Sequence, residues 1–201
     1  FALGGSTCAS FANEEGQIIE IFESPHDIRV WDVFGDKILF NQYFDNKGHM
    51  FYYDGKAVRT LDNISSEGHS LRSYQLGGET LFSVDQQGFV YAEKNGKLVT
   101  INAADSFIPK AAGISTTKDG KACWSAEDEN SVQQVWCYNG LQTSQITFGA
   151  NQKKITGSDR NSIAIMDIAL LTQEKSVSFW DGNLTESLSF ASLPPYIFGE
   201  L

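Results

Sequence analysis

The sequence has few of the features that mark a membrane or nucleic-acid-binding protein. It contains no run of about 18 apolar residues, so we expect no membrane span. Lysine and arginine number 15 against 25 aspartate and glutamate, which gives a formal net charge of −10, and the basic residues form no cluster. Because an acidic surface repels phosphate backbones, nucleic acid is a poor candidate partner.

Proline and cysteine are also scarce. The chain has 4 prolines and 3 cysteines, and three cysteines do not make a disulfide framework at this length. Cys123 and Cys137 fall on neighbouring strands of one predicted hairpin. Directly facing strand positions lie wider apart than a disulfide prefers, so we expect two buried thiols there rather than a disulfide. Cys8 has no obvious partner.

Strand-forming residues and turn residues are plentiful. Hydrophobic residues make up 41% of the chain and aromatic residues 12%, and many of the 18 glycines lie at predicted turns. Aromatic and β-branched residues in short runs favour strands. The length suits one large domain or two small ones, with enough apolar residues for a core.

A tight turn recurs at a nearly fixed period. It is found at Tyr53-Asp54-Gly55, Lys94-Asn95-Gly96, Tyr138-Asn139-Gly140 and Trp180-Asp181-Gly182. The spacings from one Asp or Asn to the next are 41, 44 and 42 residues. A period in this range indicates one supersecondary unit stacked several times. Asn-Gly between strand-like runs also predicts a hairpin, since both central positions of a type I′ turn need positive φ.

Each period divides into four predicted strands. In the clearest unit they cover residues 71–76, 79–84, 89–94 and 97–103. The second strands of successive units align, at separations of 42, 42 and 41 residues, on Phe40, Phe82, Trp124 and Ile165. A large apolar residue at one fixed position per unit is what stacked sheets need for a shared core.

The repeats resemble those of β-propeller proteins, and the resemblance covers nearly the whole chain. It implies an all-β fold of four-stranded antiparallel blades in a single domain, residues 1–201. Four blades are predicted at 28–62, 71–103, 111–148 and 153–190, and a fifth from 194–201 together with 1–23. A ring closed by both termini leaves no blade unpaired. A fragment of a longer propeller is the alternative.

In propellers, the loops between strands two and three and the loops that join blades share one face, which usually carries binding. All three histidines and several acidic turn residues map to that face. The candidate binding residues are His26, His49, His69, Asp45, Asp85, Glu127 and Asp128. His26, His69 and Asp45 are of the types that ligate metals, but we interpret them as solvated loop residues and predict no metal and no cofactor.

Four aromatic residues are candidates for a sugar-binding shelf, because an aromatic face packs against the apolar face of a sugar ring. They are Trp31, Tyr74, Tyr138 and Trp180, although aromatics at repeat positions are more often core. The chain begins Phe1-Ala2-Leu3, which suggests a processed start. We expect a secreted, periplasmic or cell-surface location.

The sequence offers little for catalysis. It has no GxSxG turn, and five-bladed glycosidases carry acidic groups on first strands, where this chain has Asp32, with Glu200 at a rim turn. We therefore predict a monomeric, non-catalytic binding module that recognises a glycan or a protein partner on the loop face. A small carbohydrate-active enzyme and a structural fragment of a larger propeller-containing surface protein are the alternatives.

Overall fold

The computed structural model describes residues 2–4, 8–12, 18–61, 71–95, 97–102, 108–159, 161–169, 172, 174–183 and 188–190. Every regular element in these ranges is a strand, so the predicted all-β class is confirmed. No helix long and apolar enough to cross a membrane occurs in them. The chain divides into two compact units, Phe1–Leu71 and Arg72–Leu201.

The first unit contains two antiparallel sheets. The three-stranded sheet consists of β1 (Ala2–Gly4), β2 (Cys8–Ala12) and β3 (Ile18–Glu23). The four-stranded sheet consists of β4 (Ile28–Phe34), β5 (Lys37–Phe44), β6 (Lys47–Tyr53) and β7 (Val58–Thr60). In both sheets consecutive strands are neighbours, which is the meander that short connections produce.

The second unit contains three four-stranded antiparallel meanders. The first has β8 (Leu71–Gly77), β9 (Thr80–Asp85), β10 (Val90–Lys94) and β11 (Lys97–Thr100). The second has β12 (Ser115–Thr116), β13 (Ala122–Glu127), β14 (Gln133–Tyr138) and β15 (Thr143–Gln145). The third has β16 (Gln152–Ser158), β17 (Ile163–Ile168), β18 (Lys175–Trp180) and β19 (Leu188–Phe190).

At Asn95 the repeated turn has the geometry predicted for the first central position of a type I′ hairpin, because φ is 54° and Lys94 pairs directly with Lys97. The turns of two other units differ. At Asp54-Gly55 and Asn139-Gly140 only the glycine has positive φ, 91° and 99°. The preceding side chain caps the loop instead: Asp54 Oδ1 accepts hydrogen bonds from the amides of Lys56 and Ala57, both at 3.0 Å. Chiefly because the Ala57 amide binds the charged form, the pKa of Asp54 lies below its usual range.

A two-residue turn with positive φ at both positions connects β5 and β6. Asp45 and Asn46 have φ of 51° and 59°, as a type I′ turn requires, and Lys47 already belongs to β6. The connection is therefore a two-residue turn, Asp45-Asn46. Asp and Asn tolerate this left-handed region better than most residues, because their short side chains bond locally.

In the first unit, aromatic rings join the two sheets. The centroid of Phe22 on β3 lies 5.4 Å from that of Phe40 on β5 and 5.0 Å from that of Phe51 on β6. Phe40 and Phe51 also stack on each other at 5.4 Å. Ile28 and Ile38 complete the buried centre of this cluster. The predicted core position Phe40 is thus confirmed.

The second unit buries the aligned second-strand residues between neighbouring sheets. Phe82, Trp124 and Ile165 are 0%, 0% and 1% exposed. The indole Nε1 of Trp124 donates to the carbonyl oxygen of Pro109 at 3.2 Å, so its one polar atom is satisfied. Tyr138 and Trp180 are buried as well, which makes them core residues rather than a sugar-binding shelf.

Cys123 and Cys137 form a disulfide, and the expectation of two thiols is wrong. The two residues face each other across β13 and β14, and their Cα atoms are 4.1 Å apart. Facing residues of the non-hydrogen-bonded kind approach to about 4.5 Å in antiparallel sheets, which is closer than the expectation allowed. The bond lies in a buried cluster that includes Val135, Ile163 and Trp180.

Removing this disulfide should destabilise the fold. The bridge closes a loop with a sequence separation of 14, so its loss in Cys123→Ala/Cys137→Ala should cost about 3 kcal/mol. For a chain of this size, that corresponds to a melting temperature lower by roughly 6–12 °C. Reduction of the wild type is the matched comparison and should lower its melting temperature by a similar amount. Three reactive thiols in denaturant without reductant, instead of one, would contradict the bridge.

Candidate functional site

Each four-stranded sheet has one end that carries the turn between its second and third strands and the segment that enters the sheet. We call this the loop end. In the β4–β7 sheet it comprises residues 24–27 and 45–46, and in the β12–β15 sheet residues 108–114 and 128–132. The candidates His26, Asp45, Glu127 and Asp128 lie in or beside these segments. His69 lies outside the described residues.

A stack of three rings brings two predicted residues together. The His26 ring lies 5.4 Å from the Phe44 ring at an interplanar angle of 15°, and the His49 ring lies 3.7 Å from Phe44 at 12°. His26 belongs to the entering segment, Phe44 ends β5 and His49 is on β6. The stack therefore fixes the entering segment against the β5–β6 hairpin.

Hydrogen bonds hold the same segment from inside. The side chain of Gln42, 3% exposed, donates through Nε2 to Ser24 Oγ and to the carbonyl oxygen of His26. The His26 amide also donates to Ser24 Oγ at 3.3 Å. Because Gln42 is buried on β5, the backbone of residues 24–26 is positioned by the sheet.

Beside this segment lies a cavity of about 510 Å³, which we call the Tyr43 recess. It is lined by Pro25, His26, Asp27, Arg29, Asn41 and Tyr43. Arg29 on β4 faces Asn41 on β5 directly in the strand register. The Tyr43 ring is 63% exposed at the end of β5. The recess thus combines an aromatic ring with one acid, one base and one amide.

A second cavity, of about 730 Å³, lies at the loop end of the β12–β15 sheet, and we call it the acidic recess. Its lining includes Glu127, Asp128 and Glu129, together with Lys110 from the entering segment. The ammonium of Lys110 lies 3.5 Å from the centre of the Phe89 ring, a cation–π contact. Two predicted residues, Glu127 and Asp128, therefore share one recess.

Two of the predicted aspartates serve their own turns. Asp85 is fully buried, and its Oδ1 accepts from the amides of Gln87 and Phe89 at 2.8 and 2.9 Å. Its Oδ2 accepts from the Tyr91 hydroxyl at 3.0 Å. Asp128 repeats the pattern with two amides of the β13–β14 turn, although it is partly exposed. The local sequence shows that an acidic residue lies at a turn. It does not show which of its carboxylate oxygens accept hydrogen bonds from the turn amides.

The described residues contain no group of three or more His, Cys, Asp and Glu side chains arranged to hold a metal ion. His26 and Asp45 are both exposed at the loop end of the same sheet. The third residue considered as a ligand, His69, lies outside the described residues. The metal interpretation therefore rests on no geometry shown here.

Sequence reasoning missed five of the six residues that line the Tyr43 recess, and it also missed Phe44. The sequence of β5 contains a signal for two of them. Ile38, Phe40 and Gln42 lie on one face of this strand and alternate with residues of the opposite face. An aromatic pair at the end of that strand, directly before the turn at Asp45, falls at the predicted binding end. The sequence-based candidates were histidines and acidic residues only, so this aromatic pair was not among them.

No protein-family model and no curated protein matches the sequence. Among solved structures, the chain is similar to a triple arginine-to-alanine mutant of AofleA from Arthrobotrys oligospora, with 13% identity, a TM-score of 0.35 and coverage of 83% of this chain and 58% of that one. It is also similar to the computationally designed Ika8 protein, with 13% identity, a TM-score of 0.41 and coverage of 93% and 60%. The chain thus spans about three-fifths of the length of these two structures.

The two capping aspartates should differ in their contribution to stability. Asp85→Ala leaves two partly buried amides and a buried hydroxyl without their acceptor, which should cost about 3 kcal/mol. Asp128→Ala removes the same two amide bonds at a partly exposed turn, where water replaces them, and should cost about 1 kcal/mol. Urea unfolding of both variants measures the difference. Equal losses would show that burial of Asp85 is not what makes its cap important.

Proposed function

We propose that the chain forms a five-bladed β-propeller whose last blade is closed by both termini. The blades would be residues 28–62, 71–103, 111–148, 153–190 and 194–201 with 1–23. Support comes from the four four-stranded meanders and from the three-stranded sheet, in which β1 is an edge strand. A strand from residues 195–198 would pair with that edge and give the sheet its fourth strand, which removes an exposed edge.

Closure predicts that the C-terminal residues stabilise the fold. Ile197→Asp places a charge in the proposed strand and should lower the melting temperature by roughly 5 °C or more, because a buried unpaired charge is among the strongest destabilising changes. Glu200→Lys, at the proposed turn, is the control and should change it little. Thermal melts of the two variants test this. An unchanged melting temperature in Ile197→Asp would argue against the closing strand.

We propose further that the protein is a non-catalytic binding module that recognises a glycan or a protein partner through its loop ends. The observation that supports this most is that the Tyr43 recess and the acidic recess both lie at loop ends. No residue of the tight turns at Asp54-Gly55 and Asn139-Gly140, on the opposite ends, lines either recess. Recesses between loops on a rigid sheet are where ligands usually bind.

The proposed location is extracellular, periplasmic or on a cell surface. The Cys123–Cys137 disulfide supports it, because structural disulfides persist mainly in oxidising compartments. The same bond would stabilise the sheet that carries the acidic recess, since Cys137 and Gln133 lie on one strand. A module exposed to a changing medium benefits from such a constraint on its unfolded state.

Binding through the loop ends can be tested with a glycan array and matched variants. The wild type should bind at least one glycan class, and either His26→Ala/His49→Ala or Glu127→Gln/Glu129→Gln should weaken that binding tenfold or more. Leu141→Ser is the control, because Leu141 is 88% exposed at a tight turn on the opposite end. An array without any bound glycan would contradict glycan recognition, and loss of binding only in Leu141→Ser would contradict the loop ends.

A further inference from the structure

We infer that the Tyr43 recess binds a neutral saccharide, through stacking on Tyr43 and hydrogen bonds to Asp27, Arg29 and Asn41. This inference rests on the proposed binding function and specifies its ligand and its site. The recess belongs wholly to the first unit, and five of its six lining residues were not among the sequence-based candidates. Four properties of the lining support this ligand: an exposed aromatic surface, an unpartnered amide oxygen, balanced charge and a positioned backbone.

The first property is an exposed aromatic surface. Tyr43 leaves 63% of its surface exposed, although it lies within a strand next to the aromatic Phe44. A sugar ring presents an apolar face of C–H groups that packs on such a ring, while its hydroxyls stay at the edge. Phe148 is comparably exposed, at 69%, but it does not line either recess. Tyr43 therefore combines exposure with a cavity beside it.

The second property is an amide oxygen that has no partner within the protein. Asn41 Oδ1 is buried and receives no hydrogen bond within the described structure. An acceptor left in that state costs about 1–3 kcal/mol. A ligand hydroxyl that reached this oxygen could donate to it, and hydroxyls can also accept from the amide nitrogen.

The third property is charge. Asp27 contributes a carboxylate and Arg29 a guanidinium, so the formal charges of the lining cancel. Sugar hydroxyls both donate and accept, and they satisfy an acid and a base at the same time. An anionic ligand would gain from Arg29 but meet Asp27 and a chain with a net charge of −10. A neutral, hydroxyl-rich ligand fits this lining best.

The fourth property is that the recess is preformed. Hydrogen bonds among Gln42, Ser24 and the His26 amide fix the entering segment, and stacking on Phe44 fixes the His26 side chain. Arg29 and Asn41 are held opposite each other by the β4–β5 register. Little ordering remains to be done when a ligand binds. The volume of about 510 Å³ lies within the range of about 300–1,000 Å³ typical of small-molecule sites.

The test uses the full chain with free glucose, galactose, mannose, fucose and N-acetylglucosamine as probes. Saturation-transfer NMR should detect at least one of them, and ¹⁵N-labelled protein should show shifts confined to residues 25–29 and 41–44. Tyr43→Ala should weaken binding tenfold or more, and Asn41→Ala should weaken it severalfold. Tyr43→Phe, which keeps the ring, should retain it. Phe148→Ala is the matched control for an exposed aromatic residue, and thermal melts check that every variant folds.

The outcomes separate this inference from the proposed function. If the wild type binds a neutral sugar but Tyr43→Ala binds it equally well, the recess is not the site, although a glycan-binding module remains. If only an acidic sugar or a peptide binds and the shifts still map to the recess, the ligand class is wrong. If neither the array nor the five sugars give binding, both the inference and glycan recognition are overturned.

Discussion

The sheets of this protein depend on the burial of one large side chain near the middle of each second strand. Phe40 in the first unit and Phe82 and Trp124 in the second are fully buried, each against the neighbouring sheet of its own unit. A single four-stranded meander has two faces and cannot cover either alone, so stacking is what makes each sheet stable. Trp124 shows how strict the constraint is, because even its indole nitrogen has a partner, the Pro109 carbonyl.

The acidic residues of these stacked sheets have two different roles. At the tight turns and at the β9–β10 and β13–β14 connections, Asp and Asn side chains bind the amides of their own loop. These residues maintain the scaffold, and their regular spacing is a result of the repeat. The proposed saccharide site uses positions outside the capping pattern. Asp27 and Tyr43 illustrate this, since both are exposed and neither caps a turn.

The sequence predicted the strands because the period, the turns and the aligned apolar residues all report the same unit. The prediction of β9 as 79–84 differs by one residue from Thr80–Asp85. The sequence could not predict the disulfide. The distance between two facing residues depends on whether they form a hydrogen-bonded or a non-hydrogen-bonded pair, and the sequence does not show which. Nor could it predict the Tyr43 recess. Arg29 and Asn41 become neighbours only through strand register, and a one-residue β-bulge after Val30 alters that register along β4.

Equivalent positions in different sheets explain why one scaffold can carry different sites. The residue after the buried second-strand aromatic is Asn41 in one sheet and Ser125 in another. Ser125 Oγ accepts a hydrogen bond from the Ile155 amide on the next sheet of its unit, at 3.0 Å, so this oxygen already has a partner within the protein. Asn41 Oδ1 has no such donor. Two residues farther along each strand stand Tyr43 and Glu127, which give one recess an aromatic surface and the other a carboxylate. In the β4–β7 sheet, the polar atom that stacking leaves without a partner therefore belongs to a residue that lines the recess proposed to bind a saccharide.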